Sequence, residues 1–240
     1  MTVAEDTPLV VARGVARTFG KGPTAVVAVH GVDCVVRPGE MIALSGPSGS
    51  GKTTLLHLLA GLDTPTTGSI TWPALGDRGD LRPGPVAVVF QAPSLLPALD
   101  VLENVALPLL LRGEQPAVAR RCAAAALARL RLDQLTGKLP EELSGGQAQR
   151  VAVARVLAGT PRLVFADEPT GQLDHGTGLE VVDSLIAATS DLGAALVVNT
   201  HDPAIAERFP IRWHMLDGHL RTGTTTDEPE QGTLARSRQS

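Results

Sequence analysis

Glu40-Met-Ile-Ala-Leu-Ser-Gly-Pro-Ser-Gly-Ser-Gly-Lys-Thr53 is the stretch of sequence that decides the fold. Its first six residues, up to Ser45, form a compact apolar strand, and the pattern from Lys52 to Leu62 is helical. The loop from Gly46 to Gly51 therefore joins a strand directly to a helix. Glycines let such a loop curl so that successive N–H groups point at a phosphate, and the helix adds the positive end of its dipole.

The spacing of this loop, Gly46-x-x-x-x-Gly51-Lys52-Thr53, matches the nucleotide phosphate-binding loop in full. Lys52 is expected to reach the β- and γ-phosphates, and the Thr53 hydroxyl to coordinate Mg²⁺. The alternative is an ordinary Gly/Ser turn before a helix, which the preceding strand and the following helix disfavour. The predicted nucleotide-binding residues here are Gly46, Pro47, Ser48, Gly49, Ser50, Gly51, Lys52, Thr53 and Thr54.

A second motif is a buried strand that ends in two adjacent carboxylates, Leu163-Val-Phe-Ala-Asp167-Glu168. Burying carboxylates without a function is costly. Asp167 is expected to hold Mg²⁺ through a water, and Glu168 to accept a proton from an attacking water. The alternative is a pair of solvated acids at a strand end. It is disfavoured because both motifs would lie at the carboxyl edge of one sheet, where ligands bind.

The third motif, Leu143-Ser144-Gly145-Gly146-Gln147, precedes a helical run over residues 148–157. Ser144 is a good N-cap, and the two glycines expose backbone N–H groups, which predicts a second anion site at a helix start. A capped helix without a ligand is the alternative. If Ser144 faces outward, this site would complete the nucleotide site of a second copy of the chain.

The rest of the chain predicts an α/β fold. Continuous apolar runs predict buried strands of a mainly parallel sheet at Val86 to Phe90, Leu163 to Ala166 and Ala195 to Asn199. Short β-branched runs at Leu9 to Arg13, Val26 to Val29 and Val32 to Val36 predict an antiparallel start. Between the runs at 86–90 and 163–166 the pattern is helical, over residues 93–158. The predicted organisation is an α/β core over about 9–92 and 159–222, an inserted helical subdomain over about 93–158, and a disordered polar tail over 223–240.

Composition narrows the functional classes. The 240 residues are 43% hydrophobic and 19% charged, as in a folded domain. A net charge of −4 and an aromatic content of 2% with no Tyr argue against a nucleic-acid partner. Cys34 and Cys122 show no metal-type spacing and are predicted to be free thiols in a reducing cytoplasm. No stretch approaches the roughly 18–20 apolar residues that span a bilayer, so any membrane role needs another chain.

Together these motifs resemble the nucleotide-binding subunits of ABC transporters. The order is the phosphate-binding (Walker A) loop, Gln91, Leu-Ser-Gly-Gly-Gln, Asp-Glu and His201, and the resemblance covers about residues 9–220. It implies a P-loop NTPase fold and ATP hydrolysis with Mg²⁺. It also implies a head-to-tail dimer that sandwiches two ATP molecules, each held by the loop of one copy and by Ser144, Gly145, Gly146 and Gln147 of the other.

The resemblance implies roles for further residues. Gln91 corresponds to the glutamine that senses Mg²⁺ and the attacking water and faces the membrane subunit. His201 corresponds to the histidine that contacts the γ-phosphate and orients Glu168, and Asp174 to the residue that links the two sites. Phe19 stands where an aromatic ring stacks on adenine, although it could instead be a core side chain. The other histidines are expected to be surface or structural residues: His30, His57, His175, His214 and His219.

Three segments, 94–97, 100–109 and 167–174, resemble one branch of this family, that of macrolide-export, lipoprotein-release and cell-division ATPases. This resemblance implies a separate polytopic membrane permease, a homodimer in the ATP-bound state, and a cytoplasmic location at the inner face of the membrane. The apolar pair Leu95-Leu96 and the run 105–111 would help to form the groove for a permease helix. One departure is the segment 72–85, which is shorter than usual and lacks an Arg-rich helical stretch.

Two other functions remain possible at this point. A soluble ABC-type ATPase acting on DNA or ribosomes typically has two nucleotide-binding domains, coiled-coil inserts, zinc cysteines or a basic face, none of which the sequence shows. A kinase would use the same phosphate loop, but it has no use for a water-activating Glu168 or for the Leu-Ser-Gly-Gly-Gln motif. Because no catalytic position is lost, an active ATPase is expected.

Overall fold

The structure is a computed structural model that describes residues 7–224. Its strands are β1 (Val10–Phe19), β2 (Val26–Val36), β3 (Met41–Ser45), β4 (Thr67–Thr71), β5 (Val86–Val89), β6 (Leu163–Asp167), β7 (Ala195–Asn199), β8 (Ile211–Leu216) and β9 (His219–Thr224). Its α-helices are α1 (Lys52–Leu59), α2 (Val101–Leu111), α3 (Pro116–Arg129), α4 (Gly145–Leu157), α5 (His175–Asp191) and α6 (Pro203–Ala206).

The strands form two sheets. One is antiparallel, in the order β2-β1-β4, and the other has the order β5-β6-β7-β3-β8-β9 and is parallel except for β9. This arrangement confirms the predicted α/β fold with a mainly parallel sheet and an antiparallel N-terminal part. Strands β6 and β7 are buried at every residue, as their uninterrupted apolar runs predict.

The parallel sheet buries both of its faces because successive side chains of a strand point to opposite sides. In β6, Leu163 and Phe165 join a core with α1 and the antiparallel sheet. Val164 and Ala166 join a second core, to which helices α2 to α5 contribute. Helices α2, α3 and α4 all lie between β5 and β6 in the chain, where the helical insertion is expected.

Strand β2 is one continuous strand, whereas the sequence predicts two. The pairing with β1 is irregular near Gly31, which has a φ of 58°. The N–H of His30 donates to the Gly218 carbonyl, 2.9 Å away, so this backbone donor keeps a partner at the irregularity. The predicted break is therefore a bulge that also joins the two sheets.

Two boundaries differ from prediction. Helix α1 ends at Leu59 rather than Leu62, because Gly61 takes a φ of 69° that ends the helix. Strand β9 includes residues 223 and 224, so they are not part of the predicted tail, whose remaining residues, 225–240, lie outside the described part of the chain. Among residues 7–224, no helix is long and apolar enough to cross a membrane.

Candidate nucleotide-binding site

The loop after β3 has a backbone that only glycine can adopt at its two ends. Gly46 and Gly51 have φ angles of 142° and 97°. A Cβ atom on Gly46 would lie 2.1 Å from the Met215 carbonyl oxygen, and one on Gly51 would lie 2.1 Å from that of Ala28. The loop is thus pressed between β2 and β8, and the first turn of α1 presents its free N–H groups beside it.

Lys52 is buried, with 4% of its surface exposed, although it is a lysine. Its ammonium nitrogen, Nζ, donates to the carbonyl oxygens of Gly46 and Pro47, each 2.9 Å away. Two neutral carbonyls therefore hold a full positive charge inside the loop. An ammonium held in this way is well placed to meet an anion, as the sequence predicts for the phosphates.

Two of the three predicted metal-binding residues, Thr53 and Asp167, meet directly. The Thr53 hydroxyl donates to Oδ1 of Asp167 over 2.9 Å, which joins the start of α1 to the carboxyl end of β6. Two further groups contact the Asp167 carboxylate. The Asn199 amide nitrogen donates to Oδ1 over 2.5 Å, and His57 Nε2 lies 3.5 Å from Oδ2. A hydroxyl and a carboxylate are oxygen ligands of the kind that Mg²⁺ prefers.

Glu168 takes a left-handed backbone conformation with a φ of 44°. Such a conformation is strained for a residue with a side chain, and its N–H donates to the Asn199 carbonyl over 3.1 Å, which helps to hold it. The Glu168 carboxylate lies 3.4 Å from Nδ1 of His201, so the predicted base and its predicted partner are neighbours. Glu168 also lines a groove of about 220 Å³ with Ala28, Ser48, Gly49, Gly51, Lys52, Thr53 and Thr54.

Gln91 follows β5 and is exposed. It lies beside the loop that leaves Glu168, because a Cβ atom on Gly171 would be 2.6 Å from the Gln91 Nε2 atom. A larger residue at position 171 would therefore displace Gln91. Gln91 is not among the residues that line the groove of Lys52, and its side chain lies at the neighbouring loop.

Helix α4 holds the segment around Gln91. The Gln149 side-chain amide donates to the Phe90 carbonyl over 2.9 Å. Arg155 donates to the carbonyls of Pro93 and Ser94, 2.9 and 2.8 Å away. Three hydrogen bonds thus join this segment to the helix that begins at the Leu-Ser-Gly-Gly-Gln motif.

Ser144 is the N-cap of α4, as predicted. Its hydroxyl accepts from the Gln147 N–H over 3.3 Å, and the Gln147 side chain accepts from the Ser144 N–H over 3.0 Å. Gly146 packs against α5, since a Cβ atom there would lie 2.3 Å from Thr177. Residues 144–147 do not line the groove of Lys52. Within one chain the two predicted anion-binding motifs therefore do not share this groove.

Asp174 is the N-cap of α5, immediately beside this motif. Its carboxylate accepts from the Thr177 N–H over 3.0 Å, and this backbone hydrogen bond lowers the pKa of the Asp174 carboxyl. The side chain is therefore held as an anion at the loop that follows Glu168.

Phe19 is not a core residue, because 44% of its surface is exposed. The Arg17 guanidinium lies 4.6 Å from the centre of its ring, and Arg17 Nε is held by Asp63 over 2.8 Å. Phe19 pairs with Val26 on β2, two residues before Ala28, which lines the groove. Its ring is thus an exposed platform near the phosphate loop.

Two polar residues of this site, His57 and Asn199, were not predicted from the sequence. His57, expected to be a surface or structural residue, contacts Asp167. Its position four residues after Thr53 on the same helical face is the signal that could have placed it there. Asn199 is fully buried, and the sequence feature that could have indicated its role is a single amide at the end of an otherwise apolar strand. The other histidines make contacts away from the groove, for example His175 with Asp202 at 3.1 Å.

Comparison with known protein sequences adds three findings. The family profile described as ABC transporter matches residues 29–171. The lipoprotein-releasing system ATP-binding protein LolD of Alcanivorax borkumensis is 41% identical over 223 residues, which cover 90% of this chain and 98% of that protein. The uncharacterized ABC transporter ATP-binding protein YbbA of Escherichia coli K12 is 42% identical over 214 residues, covering 85% of this chain and 93% of YbbA.

A solved structure is also similar. It is a dimeric, post-hydrolysis state of the ATP-binding cassette MJ0796 bound to ADP and Pi. The TM-score is 0.80 with 32% sequence identity, and the match covers 91% of this chain and 100% of that one.

Proposed function

This chain belongs to the ABC transporter family, and on that premise we propose how it binds Mg-ATP, which residues hydrolyse the nucleotide and what kind of partner it drives. As a member it is an ATP-hydrolysing, nucleotide-binding subunit of a membrane transporter, and it works as a dimer. The observation that carries the residue assignments is the hydrogen bond between Thr53 and Asp167. This hydrogen bond supports the assignments because it joins Thr53 of the phosphate loop to Asp167 at the end of β6.

In the proposed nucleotide site, Gly46 to Thr54 surround the phosphates. Lys52, already buried between two carbonyls, meets the β- and γ-phosphates, and the exposed ring of Phe19 stacks on the adenine. Thr53, Asp167 and Gln91 are the residues that would hold Mg²⁺. Mg²⁺ supplies charge neutralisation to the transferring phosphoryl group.

For hydrolysis, Glu168 accepts the proton of the attacking water, and His201 holds the Glu168 carboxylate in place. The fixed backbone of Glu168 supports this role, because its N–H is bonded to β7 and its strained φ is maintained by the sheet around it. Gln91, beside Gly171, orients the water from the neighbouring loop.

The second nucleotide contact comes from another copy of the chain. Ser144, Gly145, Gly146 and Gln147 form a capped helix start outside the groove of Lys52, and an N-terminal helix end favours an anion. A head-to-tail dimer would place this end on the partner's ATP. Asp174, held as an anion at the adjacent loop, would then face the partner and link the two sites.

The membrane partner is a polytopic permease, a separate chain, and through it this subunit lies at the inner face of the membrane. A groove of about 380 Å³ between β5 and α2 supports this proposal, because it is lined by apolar side chains and rimmed by Arg82, Arg112 and Arg155. Phe90, Leu96 and Leu111 are exposed nearby, although all three are large and apolar. The naming of LolD as part of a lipoprotein-releasing system favours a permease of that branch, and it disfavours action on DNA or ribosomes.

The decisive experiment compares Glu168→Gln with a control, Glu180→Gln, which changes an exposed glutamate on α5. Glu168→Gln should keep ATP binding, lower turnover by at least about 10²-fold, and accumulate an ATP-bound dimer in size-exclusion chromatography. The control should behave as wild type. Normal turnover in Glu168→Gln would show that the base is assigned wrongly. Purification of the tagged chain in mild detergent tests the partner, and recovery of ribosomes instead of a permease would contradict it.

A further inference from the structure

Asn199 is the last residue of β7, and none of its side-chain surface is exposed. The four residues before it are apolar and fully buried, so the strand itself has no need of an amide at this position. Burying an amide is costly unless hydrogen bonds replace those it made with water. The contacts of Asn199 therefore show what the amide does in this fold.

Both contacts of the Asn199 nitrogen are to predicted metal-binding residues. Nδ2 lies 2.5 Å from Oδ1 of Asp167 and 3.3 Å from Oγ1 of Thr53. The Thr53 hydroxyl in turn donates to the same Asp167 oxygen. The three side chains form a closed triangle in which the Asn199 amide nitrogen and the Thr53 hydroxyl donate and the Asp167 carboxylate only accepts.

This arrangement fixes the orientation of the amide. Turning it over would bring its carbonyl oxygen against the Asp167 carboxylate, with two acceptors in contact and no proton between them. The carbonyl oxygen Oδ1 has no hydrogen-bond partner among the described residues. Asn199 thus leaves its buried acceptor unpaired while its amide nitrogen contacts both Asp167 and Thr53, which indicates that these two contacts are the reason for the amide.

We propose that Asn199 is a positioning residue for the metal site, and this inference rests on the proposed roles of Thr53 and Asp167. Its amide holds one oxygen of Asp167 and the Thr53 hydroxyl in a fixed relation before any ligand arrives. The second oxygen of Asp167, which faces His57 Nε2 at 3.5 Å, and a lone pair of Thr53 are then left to receive Mg²⁺ and its waters. The preorganisation lowers the ordering cost of metal binding.

The test measures how Mg²⁺ changes ATP binding, independently of turnover. ATP affinity is measured at equilibrium in EDTA and at rising Mg²⁺ concentrations. Asn199→Val, which keeps a strand-forming shape without the amide, should need roughly tenfold more Mg²⁺ for the same effect, because a hydrogen bond to a charged group is lost. Its ATP affinity in EDTA should change by less than about twofold, since Lys52 and the loop are untouched.

Two controls separate the possible failures. Thr189→Val removes a different buried hydroxyl, which bonds to helix carbonyls in α5, and it should keep the wild-type Mg²⁺ dependence. If Asn199→Val does not fold, Asn199→Thr provides the same comparison with one donor retained. If Asn199→Val shows the same Mg²⁺ dependence as Thr189→Val, the inference about Asn199 is wrong, while the proposed metal site still stands. If neither the wild type nor Asp167→Asn responds to Mg²⁺, the metal site and the inference both fail.

Discussion

Gly51 and Gly49 offer a matched pair of substitutions within the phosphate loop. Both have positive φ angles, 97° and 77°. A Cβ atom on Gly51 would lie 2.1 Å from the Ala28 carbonyl oxygen and 2.9 Å from the end of Met215, whereas one on Gly49 meets nothing within 4 Å. Gly51→Ala therefore introduces both backbone strain and a steric clash, and Gly49→Ala introduces the strain alone.

The magnitudes follow from these contacts. A left-handed backbone conformation costs an alanine about 1–2 kcal/mol, and this cost is common to both variants. The clash at Gly51 involves backbone atoms of β2, which move less readily than a side chain, and overpacking of this kind adds about 1–3 kcal/mol or more. The expected loss of unfolding free energy is thus about 1–2 kcal/mol for Gly49→Ala and about 2–5 kcal/mol for Gly51→Ala.

Thermal unfolding without nucleotide measures this difference. For a chain of this size, 1 kcal/mol corresponds to about 2–4 °C in Tm, so Gly49→Ala should lower the Tm by roughly 3–6 °C and Gly51→Ala by roughly 6–15 °C. The reduced entropy of the unfolded chain is the same for both alanines and cancels in the comparison. Equal losses of Tm would refute the close approach of the loop to Ala28.

Two further predictions concern groups away from the loop. Burial, and secondarily the charge of Asp33, raises the pKa of the Cys34 thiol to about 12 from 9.0. Above about pH 9 the unfolded thiol ionises while the folded thiol stays protonated, so the free energy of unfolding should fall. Between pH 9 and pH 10 it should fall by about 1 kcal/mol more in the wild type than in Cys34→Ala, as urea unfolding at these two pH values can measure. Asn104 is fully buried and makes four hydrogen bonds to backbone atoms of Leu96, Leu99 and Asp100. Asn104→Ala should cost about 3 kcal/mol and speed hydrogen exchange over 96–100, whereas unchanged exchange there would contradict this role.

Local sequence patterns predict those parts of the fold that depend on neighbouring residues only. The strand before Gly46, the helix after it and the buried run ending at Asp167 are all present, because continuous burial leaves a continuous apolar sequence. The expected break in β2 is absent because the N–H of His30 finds an acceptor in the other sheet. That acceptor lies in the turn before β9, almost 190 residues further along the chain, and no local pattern could indicate it.

The site is predictable to the same extent. Motif spacing indicates Lys52, Thr53 and Asp167, since each belongs to a pattern with a stated chemical purpose. It does not indicate the contact of His57 with Asp167, because a histidine in a helix is usually a surface or structural residue. The exposure of Phe19 was expected only through the family resemblance, since an aromatic residue on a strand is by itself more often buried.

The anchoring of α4 by Arg155 has a mechanical consequence. Gly145 and Arg155 are ten positions apart on this helix, and a rise of 1.5 Å per residue makes the arm between them about 15 Å long. If the segment of Pro93 and Ser94 tilts the Arg155 end by about 10°, the far end swings by roughly 3 Å, about the length of one hydrogen bond. Helix α4 is in this sense a lever, and a push too small to unfold anything at one end is enough to make or break a hydrogen bond at Ser144.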